Sequence, residues 1–324
     1  MNTATPPTPR SVTATAPGKI NVQLSVGARR PDGYHALTTV FLAVALHDTV
    51  TATLAAPGRT AVTVIGTDAQ RVPTDATNLA VRAAQLLREH HGTDAGVALH
   101  ITKRIPVAGG MAGGSADAAA TLLACDALWN TRTPPAQLHA LASELGSDVP
   151  FALLGHAALG QGRGEILADL PVIGPLHWVL AFAHSELATP AVYAEHDRLH
   201  ALRPTDARPR PQPPADPALL AALKTGDATA LGAALVNDLQ TAALSLHPAL
   251  AATLRIGAAA GALGSIVSGS GPTCAFLTTD TRAAQSVARA LAASRAVRRV
   301  RTVDGPAQGA HLVPPRTRPT SGRT

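Results

Sequence analysis

A glycine-rich segment at residues 105–120 contains the residue types that most directly suggest chemistry. Its four closely spaced glycines are Gly109, Gly110, Gly113 and Gly114. An alternating run typical of a strand precedes it at 97–101, and a helical run follows at 118–129. A strand, a glycine loop and a helix start present free backbone N–H groups at the positive end of a helix, where phosphates bind. The sequence therefore favours a phosphate-binding loop; a glycine-rich turn without a ligand is the alternative.

Two other segments contain charged residues in patterns that suit a catalytic site. Lys19 and Asn21 lie on one face of the strand predicted over 13–26, because strand side chains alternate. Asp148 lies between Ser147 and an apolar Val-Pro-Phe run, where we expect it to be partly desolvated. Each pattern also has a plainer explanation. The lysine and the amide suit a solvated strand face, and the aspartate suits a helix cap or a turn.

Lysine is rare in this chain, and its positions are informative. The three lysines are Lys19, Lys103 and Lys224, beside 24 arginines. Because arginine supplies generic positive charge here, a retained lysine suggests a site that needs a compact ammonium group. Lys19 and Lys103 both lie in or next to the segments described above.

An aromatic pair follows a turn near the N-terminus. In the turn Pro31-Asp32-Gly33, proline presets φ and glycine accepts a positive φ, and Tyr34 and His35 come directly after it. The chain has two tyrosines, Tyr34 and Tyr193. An aromatic ring at the exit of a turn is a candidate stacking surface for a flat ligand. Ordinary packing against the sheet is the alternative.

Length, composition and charge narrow the class of protein. With 324 residues the chain can form a large core and two domains. No apolar run reaches the ~20 residues of a membrane span, and Met1–Arg10 lacks the apolar centre of a signal peptide. We therefore expect a cytoplasmic protein without membrane contacts. The net charge of +6 lies mostly in short arginine-rich segments without interleaved aromatics, which argues against nucleic-acid binding. Cys125 and Cys274 are expected to be buried free thiols.

The order of predicted elements indicates an α+β protein. Strands are predicted at 13–26, 39–46, 49–54, 60–65, 97–101, 178–182, 264–267, 274–277 and 297–303. Helices are predicted at 79–90, 118–129, 135–145, 217–223, 227–239, 248–258 and from the Asp280 cap to 293. Because strands and helices do not alternate strictly, two α+β domains are expected. The predicted division is a disordered N-terminus at 1–12, domains at 13–170 and 171–313, a loose Pro/Arg-rich loop at 201–217, and a disordered tail at 314–324.

Together these motifs resemble the 4-diphosphocytidyl-2-C-methyl-D-erythritol kinase family of the GHMP kinase superfamily. The matching segments are Ala16–Asn21, Arg30–His35, Pro106–Ala119, Gly146–Phe151 and Ser268–Pro272. The resemblance extends from about residue 14 to residue 277. The loop departs from the family pattern at three positions, where Met111, Ala112 and Ala116 replace Leu, Gly and Ser.

The resemblance implies a reaction and a fold. The reaction is ATP-dependent phosphorylation of the 2-hydroxyl of 4-diphosphocytidyl-2-C-methyl-D-erythritol, a step of the non-mevalonate route to isoprenoids, with Mg²⁺ as an expected cofactor. The fold is an N-terminal domain like ribosomal protein S5 domain 2 and a ferredoxin-like C-terminal domain, with the substrate in the cleft between them. Another small-molecule GHMP kinase, of the homoserine or mevalonate type, and a non-catalytic ligand-binding protein are the alternatives. The oligomeric state and the metal ligands are left open.

The resemblance also implies residue roles. Asp148 would be the base, Lys19 would keep that carboxylate ionised and polarise the hydroxyl, and Asn21 would orient the methylerythritol end. Tyr34 and Tyr193 would stack on the cytosine, with His35 and Lys103 nearby. The ATP-binding residues would be Pro106, Gly109, Gly110, Gly113, Gly114 and Ser115.

Overall fold

The structure is a computed structural model that describes residues 10–202 and 211–314. The segments outside these ranges are 1–9, 203–210 and 315–324. The disorder predicted for both ends therefore falls mostly outside the described residues, as does the centre of the Pro/Arg-rich loop. The first strand begins at Ser11. The prediction of disorder up to residue 12 is therefore wrong for residues 11 and 12.

The described residues form two groups of strands with helices packed on them. The strands are β1 (Ser11–Arg29), β2 (His35–Ala55), β3 (Thr60–Gly66), β4 (Gly96–Lys103), β5 (Ala157–Gln161), β6 (Ile166–Asp169), β7 (Leu176–Phe182), β8 (Val236–Asn237), β9 (Gly264–Val267), β10 (Cys274–Thr278), β11 (Arg299–Gly305) and β12 (His311–Leu312). The helices are α1 (Leu79–His90), α2 (Gly113–Trp129), α3 (Pro135–Leu145), α4 (Val149–Leu154), α5 (Thr189–Ala201), α6 (Pro217–Thr225), α7 (Ala228–Ala234), α8 (Gln240–Leu246), α9 (Ala249–Ala259) and α10 (Thr281–Ala293).

The first sheet is organised by the long antiparallel pair β1 and β2. Its main order is β12-β1-β2-β4-β3, with β5 and β6 continuing from one end of β2 and β8 added to β1. The break predicted at residues 47–48 is wrong, because β2 continues through it. Asp48 consequently lies inside a strand and is fully buried.

Helix α2 packs directly on this sheet through small side chains. Ala116, Ala118, Ala119 and Ala120 are all fully buried, and small residues let a helix backbone approach a sheet closely. The helix begins at Gly113, five residues before the predicted start at 118. The glycine segment therefore supplies the first turn of α2 and not only the loop before it.

The second sheet confirms the predicted ferredoxin-like domain. Its order is β11-β7-β10-β9, with antiparallel pairing throughout. In chain order this is the fourth, first, third and second strand, and helices connect β7 to β9 and β10 to β11. That connectivity is the β-α-β-β-α-β pattern of ferredoxin-like domains.

The chain crosses between the two units more than once. The short strands β8 and β12 come after β7 in the sequence, yet both pair with β1 of the first sheet. The largest apolar cluster also includes residues of both sheets, such as Leu42 and Leu180. The α+β fold with two domains is thus confirmed, whereas the boundary placed at 170 stays a prediction.

The cysteines have the expected environment. Cys125 and Cys274 are free and buried, and burial raises the pKa of both thiols, which keeps them protonated. Among the described residues, no helix has the length and hydrophobicity needed to span a membrane.

Candidate active site

A cavity of about 1100 Å³ lies where the glycine loop of the first domain meets a loop of the second. The second loop, 268–271, follows β9. The hydroxyl of Ser268 donates a hydrogen bond to the carbonyl of Gly110 at 3.3 Å. A side chain at Gly110 would collide with the carbonyl of Ser268, and its φ is +72°, so glycine is required at this contact.

The glycine loop ends in an uncapped helix N-terminus that faces the cavity. Ala112 occupies the cap position of α2 with a φ of 57°, and its methyl group makes no capping hydrogen bond. The N–H groups of the first helical turn therefore have no side-chain acceptor. The predicted ATP-binding residues on the cavity wall are Pro106, Gly109, Gly110, Gly113 and Gly114. Ser115 lies in the same first turn but is not among the residues that line the cavity.

Lys19 and Asn21 lie on the same face of β1, as the alternation predicts. The ammonium of Lys19 donates to Oδ1 of Asn21 at 2.8 Å, and it lies 5.5 Å from the centre of the Phe41 ring. Both polar side chains are buried, so a solvated strand face is excluded. Asn21 in turn donates to the hydroxyl of Thr39 at 2.8 Å, which fixes the amide with its oxygen towards the lysine.

Asp148 lies opposite this pair although it is distant in sequence. Its carboxylate is 3.8 Å from the ammonium of Lys19. Asp148 occupies the cap position of α4, but its side chain makes no capping hydrogen bond. Its side chain is 30% exposed and lines the cavity. The carboxylate is therefore available to a ligand.

The two tyrosines lie at the same cavity but in different surroundings. Tyr34 is 56% exposed, and the guanidinium of Arg163 lies 5.2 Å from the centre of its ring. Tyr193 belongs to α5 and stacks on His35, with ring centres 5.3 Å apart and planes inclined by 23°. His35 is also held through its Nε2, which hydrogen-bonds with Oδ1 of Asp197 at 2.8 Å. Each tyrosine thus has a partner on one ring face, Arg163 for Tyr34 and His35 for Tyr193, and Tyr34 is the more exposed of the two.

Lys103 is buried next to the glycine loop. Its ammonium donates to the carboxylates of Asp48 and Asp117, and to the carbonyl of Gly113 at 3.1 Å. Lys103 also lines the cavity, and its predicted contact with the substrate stays a prediction. Sequence reasoning missed the two carboxylates, although an acidic residue within an apolar strand and another within an alanine-rich helix are signals of buried pairing.

Sequence reasoning also missed one flank of the cavity. Val72, Pro73, Thr77, Asn78 and Leu79 line it beside the start of α2. Asn78 caps α1, because its oxygen accepts from the N–H of Ala80 at 2.8 Å. No residue in this stretch has a chemistry that marks it as a binding segment. Proximity in the fold, which sequence reasoning did not predict, is what identifies it.

This fold is that of the GHMP kinases. The sequence matches the family described as GHMP kinases N terminal domain over residues 78–156, which include the glycine loop and Asp148. Residues 219–296 match the family described as GHMP kinases C terminal.

Full-length relatives narrow the class further. The chain is 58% identical to the 4-diphosphocytidyl-2-C-methyl-D-erythritol kinase of Streptomyces coelicolor, over 94% of this chain and 99% of that protein. It is 54% identical to the enzyme of the same name from Mycolicibacterium gilvum, over 94% of this chain and 93% of that protein. The chain therefore belongs to the 4-diphosphocytidyl-2-C-methyl-D-erythritol kinase family.

Solved structures agree at the level of the fold. A crystal structure of 4-(cytidine 5'-diphospho)-2C-methyl-D-erythritol kinase matches with a TM-score of 0.72 and 36% identity, covering 90% of this chain and 98% of that chain. A homoserine kinase from Cytophaga hutchinsonii matches with a TM-score of 0.74 and 21% identity, covering 96% of this chain and 100% of that chain. The second match shows the shared fold alone.

Proposed function

We propose that this protein transfers the terminal phosphoryl group of ATP to the 2-hydroxyl of 4-diphosphocytidyl-2-C-methyl-D-erythritol. The observation that carries the proposal is the pair formed by Lys19 and Asp148, 3.8 Å apart, in the cavity that the glycine loop also lines. Membership in the kinase family that acts on this compound supports the choice of substrate. The protein would act in the cytoplasm, in the non-mevalonate route to isoprenoid precursors.

The acceptor hydroxyl is proposed to bind between Lys19 and Asp148. Asp148 accepts the hydroxyl proton as the oxygen attacks the phosphorus atom. The ammonium of Lys19 favours the ionised form of that carboxylate and polarises the hydroxyl. Asn21, fixed by its bonds to Lys19 and Thr39, supports the lysine and orients the acceptor end of the substrate.

The phosphates of ATP are proposed to bind at the start of α2. The uncapped N–H groups there suit an anionic ligand. Gly113 and Gly114 line the cavity and have no side chain that would keep a ligand away from the backbone. The nucleoside would extend along the flank at 72–79, which borders the loop.

Mg²⁺ is the cofactor that we propose for the same place. Among the described residues no cluster of three His, Cys, Asp or Glu side chains forms a metal cage. Mg²⁺ in kinase sites is typically bound by one or two carboxylates together with substrate phosphates, and does not require such a cage. Bound there, the ion would neutralise charge on the phosphates during transfer.

The cytidine end is proposed to bind at Tyr34, Tyr193 and His35. Tyr34 has a free ring face at the cavity mouth, and a ring recognises a flat base without requiring a charge. Tyr193 is stacked on His35, so its remaining face is the one available to the base. The two rings would then contact opposite sides of the cytosine.

The proposal is tested by a coupled assay of ATP consumption. The purified protein is supplied in turn with the cytidyl substrate, mevalonate and homoserine. We expect turnover with the cytidyl substrate alone. Turnover with mevalonate or homoserine instead would indicate another GHMP kinase, and absence of turnover with all three would indicate a binding protein on this fold.

A further inference from the structure

A buried group of three charged side chains lies behind the glycine loop and has no part in the proposed chemistry. We call Asp48, Lys103 and Asp117 the loop triad. Their side chains are 0%, 2% and 4% exposed, respectively. They come from β2, β4 and α2. Charges buried this deeply are costly unless they are paired, so their retention requires an explanation.

The loop triad contacts both ends of the glycine loop. At the entry, Oδ1 of Asp48 accepts the backbone N–H groups of Arg104 at 2.5 Å and Ile105 at 2.9 Å. At the exit, the ammonium of Lys103 donates to the carbonyl of Gly113 at 3.1 Å and to Oδ2 of Asp117 at 2.6 Å. The same ammonium joins Asp48 to Asp117, so the entry and the exit are connected through one side chain.

The hydrogen-bond capacity of Lys103 is fully used within this group. A lysine ammonium has three N–H donors. The three acceptors around it are Asp48, Asp117 and the carbonyl of Gly113. Two carboxylates also surround its positive charge. No donor remains for a ligand, and the group as a whole has no net positive charge with which to attract an anionic one.

We propose that the loop triad positions the phosphate loop, and that Lys103 acts on the bound nucleotide through Gly113 and not by contact with the cytidyl substrate. The proposal rests on the proposed function in naming a nucleotide as the ligand of the loop. The triad sets the distance between the loop entry at 104–105 and the helix start at Gly113. That distance determines where the N–H groups of the first turn point.

The experiment compares two substitutions of one type on the same helix. Asp117→Asn preserves the shape but weakens the pairing with Lys103, whereas Asp126→Asn alters the far end of α2. Asp126 is a matched control because it also accepts hydrogen bonds, from Thr131 and Thr133 at 2.8 Å, away from the loop. The readouts are the Kd of a non-hydrolysable ATP analogue by calorimetry, the KM of each substrate and the melting temperature.

We expect Asp117→Asn to raise the Kd of the analogue and the KM for ATP by about tenfold, because small misplacements of binding groups have large effects. The KM for the cytidyl substrate should stay within about twofold. Asp126→Asn should lower the melting temperature without changing nucleotide binding. Asp48→Asn is the second triad variant, and it should reproduce the rise if Asp117→Asn does not fold.

Other outcomes would overturn the proposal. A rise confined to the KM for the cytidyl substrate would indicate that the triad acts at that substrate. If the Asp117 and Asp126 variants had the same Kd, KM values and melting temperature, the triad would contribute only to overall stability and would not position the loop. If the wild-type protein binds the analogue, with the expected loss in Asp117→Asn, but does not phosphorylate the cytidyl substrate, the proposed function fails and the positioning role is supported.

Discussion

At the scale of single residues, Asp148 is the side chain on which the proposed phosphoryl transfer depends most. Asp148→Asn preserves the shape of the side chain and removes its ability to accept a proton. We expect turnover to fall by about 100-fold or more, in line with general-base contributions, with little change in the affinity for the cytidyl substrate. Steady-state kinetics together with a direct binding measurement checks this.

A second carboxylate in the cavity provides the control for that prediction. Asp197 pairs with His35 near the two tyrosines, so Asp197→Asn should affect the KM for the cytidyl substrate more than turnover.

If Lys19 and Asp148 act as a unit, Lys19→Ala combined with Asp148→Asn should lower turnover by less than the product of the single effects. Turnover near the wild-type value in Asp148→Asn would remove this residue from the role of base.

Tyr34 and Tyr193 should respond differently to truncation. Stacking of a base on an aromatic ring contributes about 1–3 kcal/mol, so either change to alanine should raise the KM for the cytidyl substrate by about tenfold or more. The KM for ATP should stay unchanged. Because Tyr34 is 56% exposed, its loss should leave the melting temperature near the wild-type value. Tyr193→Ala also removes the stack on His35 and should lower the melting temperature.

Conservative variants separate the ring from the hydroxyl. Tyr34→Phe and Tyr193→Phe should both be mild, since the ring is the proposed contact. A parallel rise in both KM values, with a lower melting temperature in Tyr34→Ala, would contradict the stacking role.

The site residues differ in how far the sequence alone predicts them. Alternation along one strand suffices to place Lys19 and Asn21 on a common face. No local pattern brings Asp148 to within 3.8 Å of Lys19, because that distance depends on how α4 packs beside β1. Only the resemblance to a known family predicted this pairing. The position of Arg163 over the Tyr34 ring was not predicted from the sequence either.

At the scale of secondary-structure elements, local signals worked where a cap or a proline defines an end. Helices α1 and α3 have the predicted bounds, because Asn78 caps the first and Pro135 begins the second. The helix predicted over 227–239 is wrong in its second half. The structure ends α7 at Ala234 and places β8 next, in parallel pairing with β1. Pairing with a distant strand there overrides local helical preference.

The start of α2 leads to a prediction about backbone strain. Ala112 has a φ of 57°, a left-handed conformation that costs about 1–2 kcal/mol for a residue with a side chain. Ala112→Gly removes that cost but adds unfolded-state freedom worth about 0.5–1 kcal/mol. We expect a net stabilisation of up to about 1 kcal/mol, with the KM for ATP within about threefold. Chemical denaturation and steady-state kinetics measure the two quantities.

A substitution of the same type further along α2 provides the control. Ala118 lies within the helix, where replacement by glycine should destabilise by about 1 kcal/mol or more. If Ala112→Gly lowered the free energy of unfolding as Ala118→Gly does, the strain at Ala112 would not be the deciding factor. A large loss of ATP binding in Ala112→Gly would indicate that this loop differs in conformation from the family loops that have glycine at this position.

At the scale of the whole molecule, the two domains are joined directly behind the glycine loop. Arg298, next to β11, donates two hydrogen bonds to Asp68 of the first domain, at 2.5 Å and 2.9 Å. The hydrogen bond from Arg298 lowers the pKa of Asp68. Arg71 and Glu186 form a second ion pair between the domains. The position of the loop is thus coupled to the position of the C-terminal domain.

Arg298→Gln should therefore weaken both stability and nucleotide binding. We expect a loss of about 1–3 kcal/mol in the free energy of unfolding, between the values for exposed and buried pairs. The KM for ATP should rise, because Arg298 lines one small cavity together with loop residues 106–109 and its loss removes a neighbour of the loop. Arg198→Gln is the control, since Arg198 also donates two hydrogen bonds to a carboxylate, that of Glu195, but within α5. Its loss should cost at most about 1 kcal/mol and leave ATP binding unchanged.

The pH dependence of stability separates the ion pair from simple packing. Because the folded-state pKa of Asp68 is below its ordinary value of 3.8, the pair stabilises the fold above that pH and loses its effect as the pH falls through the folded-state pKa. The difference in stability between wild type and Arg298→Gln should therefore be largest near neutral pH and shrink in acid. Denaturation at pH 7 and at stepwise lower pH measures it. A difference that stays constant down to acid pH would mean that Arg298 acts by packing, and the coupling between the domains would then not depend on its charge.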